Sequence, residues 1–530
     1  MNWLRVALSA ATGMAAVVAL APAEAATPAN TFVMAKNIDD IISLDPGEAF
    51  ELSGIEITTN MYDRVMRYDA EDIKKLDGGA VQSWTVSADG KTLTFKVRPN
   101  IKFSTGNPLT ADDIAFSLQR AVVLNKAPAF ILQQLGWDDK NVKDLVKAVD
   151  PMTVSVTIKE DFGTTFVLNA LSANLASVVD KKVALEHEKN GDLGNEWLKT
   201  NSAGSGPYVL RSWKANDSVV IEANPNYWKA APKLQRVIVR HVAEPTSQRL
   251  LLEKGDIDMA RNLTPDMIAA LGENKDLTVS NFPKADTYYL GLSQTVEPLK
   301  NAKVREAMRW LIDYQGMSDS FLKGQFQVQQ AFWPAGFPGS LTDTPFKLDV
   351  AKAKQLLAEG GYPNGFEVSM DTPTSSPFPA MAQSIQSTMA QGGIKLNLTS
   401  GEQKQVITKY RARQHQMVIL YWSPDYQDPH ANASTFSRNP DPPGAEKAST
   451  LMSRNSWWDA DITKETEAAV KERDPDKRNA MYIDLQKKLQ KDSPIINLFQ
   501  AIEQTVQTKN VKGFISGPNP DTVFFRLVSK

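Results

Sequence analysis

The first 25 residues constrain how the rest of the chain can fold, because they determine the compartment in which it folds. Arg5 supplies a positive charge near the start, residues 6–20 are apolar or small, and Ala23 and Ala25 are small residues at the positions that a signal peptidase reads. The apolar stretch has about 15 residues, fewer than the roughly 20 that cross a bilayer as a helix. We therefore predict a secretory signal over residues 1–25, cleaved after Ala25, a periplasmic location and no stable membrane insertion.

The sequence contains no cysteine, so we expect no disulfides, no thiolate metal ligands and no lipid attached through a thioether. An exported chain of this kind depends on its apolar core. Its 530 residues, 42% of them hydrophobic, are enough for several domain-sized units. The formal net charge is -2, a balance that argues against a nucleic-acid partner. We expect a monomer that diffuses freely.

A hairpin followed by a helix is the most readable local pattern. Asp89-Gly90 is a strong turn pair, and Leu93 and Phe95 alternate with polar residues beyond it, as a half-buried strand requires. Thr110 precedes an amphipathic stretch with an acidic residue three positions on, which predicts a capped helix. Strands and helices therefore follow each other closely in this part of the chain.

The same mixture continues without a fixed period, which excludes a repeat architecture such as a solenoid. Short apolar runs at 219–221 and 237–239 predict buried strands. Helix caps are predicted at Thr246, Asp349 and Asp474. No Gly/Ser-rich linker or charge block divides the chain, so we expect a mixed α/β fold with lobes that the chain enters more than once.

Short motifs follow one another in a fixed order over nearly the whole chain. They are SW at 83–84, DGKTLTFKVR at 89–98, KF at 102–103, LTADDI at 109–114, GSGPY at 204–208, NPNYW at 224–228, GDID at 255–258, VREA at 304–307, AKQLL at 353–357 and GYPNGF at 361–366. Each motif alone matches an ordinary turn or helix cap. The ordered set resembles the extracellular solute-binding proteins of family 5, which serve dipeptide and oligopeptide importers.

This resemblance implies a two-lobed periplasmic binding protein (Venus-flytrap) fold of the α/β class, with an extra subdomain in the first lobe and the ligand between the lobes. Mapped onto this sequence, lobe one comprises residues 26–283 and 497–530, with the subdomain at about 66–195, and lobe two comprises residues 284–496. These ranges define the names lobe one, subdomain and lobe two below. The resemblance also implies an ABC permease as partner, no cofactor and no enzymatic activity.

Residues 418–429 are the most informative candidate for ligand recognition. An apolar run becomes aromatic at Tyr421 and Trp422 and then breaks at a proline, which indicates a strand delivering a loop. The segment resembles the one in which the family binds the α-ammonium group of its ligand, and the match assigns that role to Asp425. Tyr421, Trp422 and Tyr426 would lie beside it. A carboxylate and an ammonium in a closed cleft form charge-assisted hydrogen bonds worth about 1.5–3 kcal/mol each.

Other positions near the expected ligand carry weaker signals. Asp428 precedes a proline and is predicted to lie in an ordinary surface turn. Phe50 and Glu51 belong to residues 43–51, whose position matches the loop that family members present to the ligand from lobe one. No lysine or arginine is marked as the partner of a ligand carboxylate, so the length of the ligand stays open.

The sequence lacks the usual catalytic motifs. There is no phosphate-binding glycine-rich loop ending in Lys-Ser or Lys-Thr and no His-Glu-x-x-His motif. The four histidines, His187, His241, His415 and His430, are scattered, which favours structural or surface roles. We therefore predict no metal site and no catalytic residue, with nickel binding through His430 as a minor alternative.

Three functions stay open at this point. The leading hypothesis is a clamp that captures di- or oligopeptides and is recognised by the permease when closed. The same clamp binding another amine-bearing solute, such as an opine or an amino-acid conjugate, is the second. A secreted hydrolase of unrecognised type is the third, from a different class of protein.

Overall fold

The computed structural model describes residues 27–72, 75–440 and 450–530. The predicted signal peptide, residues 1–25, lies outside the described residues. The strands, numbered in chain order, are β1 Thr31–Lys36, β2 Met66–Tyr68, β3 Leu76–Gly78, β4 Val81–Val86, β5 Thr92–Val97, β6 Val146–Asp150, β7 Thr153–Thr157, β8 Tyr208–Lys214, β9 Ser218–Ala223, β10 Arg236–His241, β11 Met259–Ala260, β12 Leu277–Leu292, β13 Phe326–Val328, β14 Glu367–Pro373, β15 Lys395–Gly401, β16 Met417–Trp422, β17 Ile495–Thr508, β18 Ile515–Ser516 and β19 Val523–Phe524.

The α-helices alternate with these strands along the chain. They are α1 Leu52–Thr59, α2 Ala111–Leu124, α3 Phe130–Gln133, α4 Val142–Leu145, α5 Thr164–Ala170, α6 Lys181–Glu186, α7 Asn195–Leu198, α8 Pro245–Glu253, α9 Pro265–Gly272, α10 Ala302–Trp310, α11 Tyr314–Asp319, α12 Val350–Glu359, α13 Phe378–Gln391, α14 Gln403–Arg411, α15 Pro429–Phe436, α16 Leu451–Arg454, α17 Ala460–Ala469 and α18 Pro475–Lys491. Within the described ranges, none of them combines the length and the apolar character needed to cross a membrane.

Strands from both lobes form one large sheet in the order β15-β14-β16-β12-β17-β11-β1-β10-β9-β8, and β13 pairs with β17. The group β15-β14-β16 is parallel, as is the group β11-β1-β10. β12 and β17 are antiparallel to their neighbours and lie between these two groups. The predicted strands at 219–221 and 237–239 are confirmed as parts of β9 and β10.

β12 and β17 connect the two lobes. They pair over most of their lengths, with an irregularity in register between Pro283 and Thr287. An irregularity of this kind bends a strand locally. The predicted crossing points, 283/284 and 496/497, fall within these two strands, the first of them at this irregularity, and the lobe boundaries themselves stay a prediction.

The subdomain and the two lobes each contain an apolar core. In the subdomain, α2 covers a four-stranded sheet in the order β4-β5-β7-β6, and Phe95 and Trp137 are buried beneath it. Lobe one has a core around Phe32. In lobe two, α10, α12 and α13 pack around Met308 and Ile385. Each core draws on several segments of the chain, and the subdomain core also includes Tyr426, Ala431 and Val470 of lobe two.

The predicted hairpin and capped helix are both confirmed. β4 and β5 pair antiparallel with Val86 opposite Leu93. Gly90 in the turn has a φ of 76°, a conformation that glycine adopts without steric cost. The backbone N–H of Thr110 donates to Oδ2 of Asp113 at 2.8 Å, which forms the reciprocal cap at the start of α2.

Two of the three other predicted helix caps are confirmed. Asp349 and Asp474 each accept a hydrogen bond from a backbone N–H in the first turn of their helix, at 2.9 and 3.0 Å. The cap predicted at Thr246 is wrong, because α8 begins at Pro245 with Glu244 before it. Proline is favoured at the first helical position because it lacks an N–H and its φ is already helical. The helix therefore begins at Pro245, and Thr246 lies inside it.

Candidate ligand-binding site

Strand β16 carries the candidate recognition loop out of lobe two. Val418, Ile419 and Leu420 are buried, because β16 lies between β12 and β14 and packs against apolar cores of lobe two. Exposure increases at Tyr421 and Trp422, which are partly buried. The strand and loop predicted from the sequence are therefore confirmed.

Tyr426 anchors this loop in the subdomain core. Its ring meets Phe166 edge-on with centroids 5.9 Å apart, and the amide of Gln134 donates to its hydroxyl at 3.3 Å. Only 2% of Tyr426 is exposed, and burial raises the pKa of its hydroxyl well above the usual value. Tyr426 thus joins lobe two to lobe one, and its predicted contact with the ligand stays a prediction.

Two hydrogen bonds hold the loop backbone from lobe one. The Tyr68 hydroxyl donates to the carbonyl oxygen of Gln427 at 3.1 Å, and Nδ2 of Asn519 donates to the carbonyl oxygen of Pro424 at 3.3 Å. Together with Gln134, these side chains come from three separated parts of lobe one. The two lobes are therefore in direct contact around the loop.

Asp425 lies in the middle of this bridging loop, and its side chain is partly buried. Within the described residues, no hydrogen bond or ion pair reaches its carboxylate. Burial, and then the negative charge of Asp521, raise the pKa of Asp425 to about 7. A carboxylate that is partly shielded from water and has no partner is costly to ionise, so a cationic ligand group beside Asp425 would compensate its charge.

Tyr421 and Trp422 are consecutive residues at the end of β16, so their side chains project to opposite faces of the sheet. Tyr421 stacks on Tyr288 with centroids 5.5 Å apart. Burial, and then Asp286, raise the pKa of Tyr421 to about 12, so its hydroxyl is protonated at neutral pH. Trp422 meets Phe436 edge-on at 6.3 Å, and its Nε1–H is buried without a hydrogen-bond partner among the described residues. A buried donor without a partner is rare in folded proteins and needs an explanation.

Asp286 in β12 adds a negative group that the sequence did not mark. It accepts a hydrogen bond from the Ser423 hydroxyl. Burial raises the pKa of Asp286, against the opposing effects of that hydrogen bond and of Lys284. Its bond to Ser423 places Asp286 next to the loop that carries Asp425.

Phe50 and Glu51 lie just before α1 in lobe one. Phe50 packs edge-on against Phe130 with centroids 6.0 Å apart. Burial raises the pKa of Glu51. The negative charges of Asp40 and Glu48 add to this rise. A ligand contact at Phe50 or Glu51 stays a prediction.

The surface position predicted for Asp428 is wrong. Asp428 does begin a helix, because it accepts a hydrogen bond from the backbone N–H of His430 at 2.8 Å, but it is 0% exposed. Arg478 donates to both of its carboxylate oxygens, at 2.6 and 2.9 Å, and Asn169 donates to Oδ2 at 2.9 Å. Burial alone would raise the pKa of Asp428, but Arg478 and these hydrogen bonds lower it below the usual value.

His430 is enclosed next to this ion pair. Its ring meets Phe166 edge-on at 5.3 Å, and its Nδ1 is 3.1 Å from the hydroxyl of Tyr482. Burial lowers the pKa of His430 to about 3, so the ring is neutral. Over the described ranges, no group of three or more His, Cys, Asp or Glu side chains could hold a metal ion.

Sequence reasoning missed the lobe-one partners of the loop. Asn519 lies 95 residues from Pro424, and Asp521 follows it in a short 3-10 turn, Pro520–Thr522. The Asn-Pro pair at 519–520 indicates a turn, but nothing in the local sequence relates that turn to Asp425. Their proximity is a product of the tertiary fold.

Comparison with known proteins agrees with this geometry. The family model described as bacterial extracellular solute-binding proteins, family 5 Middle, matches residues 75–444. The chain belongs to this family. Its members are binding proteins that act outside the cytoplasm.

Individual solute-binding proteins match over almost the whole chain. The probable D,D-dipeptide-binding periplasmic protein DdpA of Escherichia coli (strain K12) is 29% identical over 510 residues, which cover 95% of this chain and 94% of that protein. The structure of DppA from Helicobacter pylori in complex with the peptide STSA has a TM-score of 0.79 at 22% identity and covers 94% of this chain and 98% of that one. MoaA from A. tumefaciens R10 in complex with mannopinic acid has a TM-score of 0.76 at 22% identity, covering 94% and 99%. The predicted two-lobed α/β fold is confirmed.

Proposed function

We propose that this solute-binding protein is the substrate-binding component of an ABC importer, and that it captures di- or oligopeptides between its lobes for delivery to the membrane permease. The observation that carries the proposal is the partly buried carboxylate of Asp425, which has no partner among the described residues and lies on a loop held by both lobes. The α-ammonium group of a peptide supplies the charge and the N–H donors that such a carboxylate lacks.

The two aromatic residues at the end of β16 suit the rest of a peptide. Tyr421 and Trp422 offer apolar faces to a side chain, and the free Nε1–H of Trp422 is a donor for a backbone carbonyl. Sites for small ligands commonly combine an apolar lining with a few polar groups that orient the ligand. This combination favours a peptide over a simple amine, which has no carbonyl to accept from Trp422.

The relatives support the same proposal. The name of the E. coli relative refers to D,D-dipeptides, and the H. pylori protein was solved with a peptide. We further propose that the chain acts in the periplasm as a monomer without enzymatic activity and without a cofactor. The signal peptide over residues 1–25, with cleavage after Ala25, belongs to this proposal.

Isothermal titration calorimetry with Met-Leu, D-alanyl-D-alanine and Ser-Thr-Ser-Ala tests the proposal, with each peptide also supplied in N-acetylated form. We expect at least one free-amine peptide to bind, to raise the melting temperature and to be recovered intact by mass spectrometry. Its N-acetylated form should bind at least about tenfold more weakly, because acetylation removes the positive charge. In Asp425→Asn, the two forms should differ far less.

The alternatives give different outcomes in the same assay. Mannopinic acid is added to the panel because a family member has been solved with it. If mannopinic acid binds and none of the peptides does, the ligand is another amine-bearing solute and not a peptide. Cleavage of a peptide during the titration would contradict a pure binding role and support a hydrolase.

A further inference from the structure

Asp521 carries a carboxylate oxygen that the fold leaves unused. The residue lies in the 3-10 turn Pro520–Thr522 and is 4% exposed. Its Oδ2 accepts a hydrogen bond from Nη1 of Arg64 at 2.8 Å, and its backbone carbonyl accepts from Nη2 of Arg64 at 2.5 Å. Its Oδ1 is buried and has no hydrogen-bond partner among the described residues. The ion pair with Arg64 therefore accounts for the burial of Oδ2 but not for that of Oδ1. A buried acceptor without a hydrogen bond is unusual and needs an explanation.

The turn that carries Asp521 is fastened to the loop that carries Asp425. Nδ2 of Asn519 donates to the carbonyl oxygen of Pro424, the residue before Asp425, at 3.3 Å. The two carboxylates are close enough that the charge of Asp521 contributes to the raised pKa of Asp425. Lobe one and lobe two thus each contribute a carboxylate to the region around this contact.

Asp425, Asp521 and Arg64 together carry one net negative charge when both carboxylates are ionised. Arg64 pairs with Asp521 and offsets one of the two negative charges, while Asp425 has no cationic partner among the described residues. One negative charge is left over. A ligand ammonium brings one positive charge and three N–H donors, enough to reach two carboxylates at once.

We propose that Asp521 of lobe one and Asp425 of lobe two together receive the ammonium group of the ligand, so that this group bridges the two lobes. The inference rests on the proposed function and adds a second acceptor to it. Sharing explains why Oδ1 of Asp521 has no protein partner. It also makes the site selective for a primary ammonium, since methylation of the nitrogen removes N–H donors while keeping the positive charge.

The test compares wild type, Asp425→Asn and Asp521→Asn by calorimetry with Met-Leu, D-alanyl-D-alanine and Ser-Thr-Ser-Ala and with their N,N-dimethyl forms. A dimethylated ammonium retains one N–H, so it can serve one carboxylate only. For wild type we expect dimethylation to weaken binding by about tenfold or more. Asp521→Asn should weaken binding of the unmodified peptide by about tenfold, the usual size for one charge-assisted hydrogen bond. In that variant the penalty for dimethylation should fall to within about threefold.

A matched control separates ligand binding from the loss of a buried ion pair. Asp258 is likewise a buried carboxylate of lobe one, and it pairs with Lys530 at 2.9 Å away from the loop. Asp258→Asn should leave both the affinity and the dimethylation penalty unchanged. If circular dichroism shows that Asp521→Asn does not fold, the wild-type measurements decide. A change in affinity of less than about twofold on dimethylation overturns the inference, and a loss of affinity of about tenfold supports it.

The outcomes distinguish this inference from the proposed function. If Asp425→Asn loses affinity while Asp521→Asn binds like wild type, the shared site is wrong and the proposed function stands. Equal losses for the unmodified and dimethylated peptides in Asp521→Asn also overturn it, because they indicate a general structural effect. If wild type binds none of the three peptides, the proposed peptide function and the inference fall together.

Discussion

Asn169 of the subdomain donates a hydrogen bond to Asp428 of lobe two, with Nδ2 2.9 Å from Oδ2. Asp428 is held at the same time by Arg478, whose Nη2 lies 2.6 Å from Oδ1. All three side chains are buried, so the contact between the lobes is formed out of water. Because it exists only while the lobes touch, it stabilises their closed arrangement, and hydrogen bonds to charged groups contribute about 1.5–3 kcal/mol.

Asn169→Ala should weaken peptide binding by about tenfold, because closure of the lobes loses this hydrogen bond. Calorimetry measures the affinity, and small-angle scattering with saturating peptide should show a larger radius of gyration than wild type. The matched control is Asn397→Ala, which removes an exposed lobe-two amide that donates to Glu367 at 2.7 Å. Unchanged affinity in Asn169→Ala would show that this contact does not contribute to closure.

Asp428→Ala should be strongly destabilising, because it leaves the guanidinium of Arg478 buried without its partner. Removing one member of a buried ion pair costs about 3–5 kcal/mol, which urea denaturation measures. As a control, Asp484→Ala removes an exposed ion pair with Lys488 on the same helix, and exposed pairs contribute little. Equal denaturation midpoints for the two variants would contradict this account.

The elements that could be predicted from the sequence are those that local chemistry decides. The Asp89-Gly90 turn and the caps at Asp349 and Asp474 depend on backbone groups within a few residues, so they are present as predicted. The wrong cap at Thr246 also has a local cause, because the helix begins at the neighbouring residue, Pro245. Nearby residues were enough to place these elements.

The binding site depends on contacts that no local pattern contains. The family resemblance led to Asp425, but its neighbour Asp428 was misplaced because its partners lie 50 and 259 residues away, at Arg478 and Asn169. Asp521 was missed for the same reason. Whether a carboxylate is buried or paired depends on how the lobes assemble. The sequence around that carboxylate does not contain this information.

Trp422→Phe should reduce affinity while leaving stability nearly unchanged. Phenylalanine preserves an aromatic ring next to Phe436, and the Nε1–H that is lost has no partner among the described residues. We expect affinity for a bound peptide to fall about fivefold to tenfold, as for one lost hydrogen bond. Calorimetry and thermal denaturation check the two parts. A large drop in melting temperature, or wild-type affinity, would contradict the role of the indole as a ligand donor.

The raised pKa of Asp425 predicts that stability depends on pH in an unusual direction. The pKa is about 7 in the folded chain and about 3.9 in an unfolded one. Between these values the folded state holds a proton that the unfolded state has released, so the contribution of Asp425 to stability falls as pH rises and becomes constant above about pH 7. Asp425→Asn removes this dependence. Its melting temperature relative to wild type should therefore be higher at pH 8 than at pH 5, and no change between the two would contradict the raised pKa.

Peptide binding should depend on pH in the opposite direction. The ligand ammonium requires ionised Asp425, whose pKa is about 7, so affinity should rise by up to about tenfold per pH unit until pH 7. Above about pH 8 it should fall again, because the α-amino group of a peptide loses its proton near there. Calorimetry from pH 5 to 9 should thus give a maximum between the two values. In Asp425→Asn the rise below pH 7 should disappear, whereas a wild-type profile in that variant would assign the titration to another group.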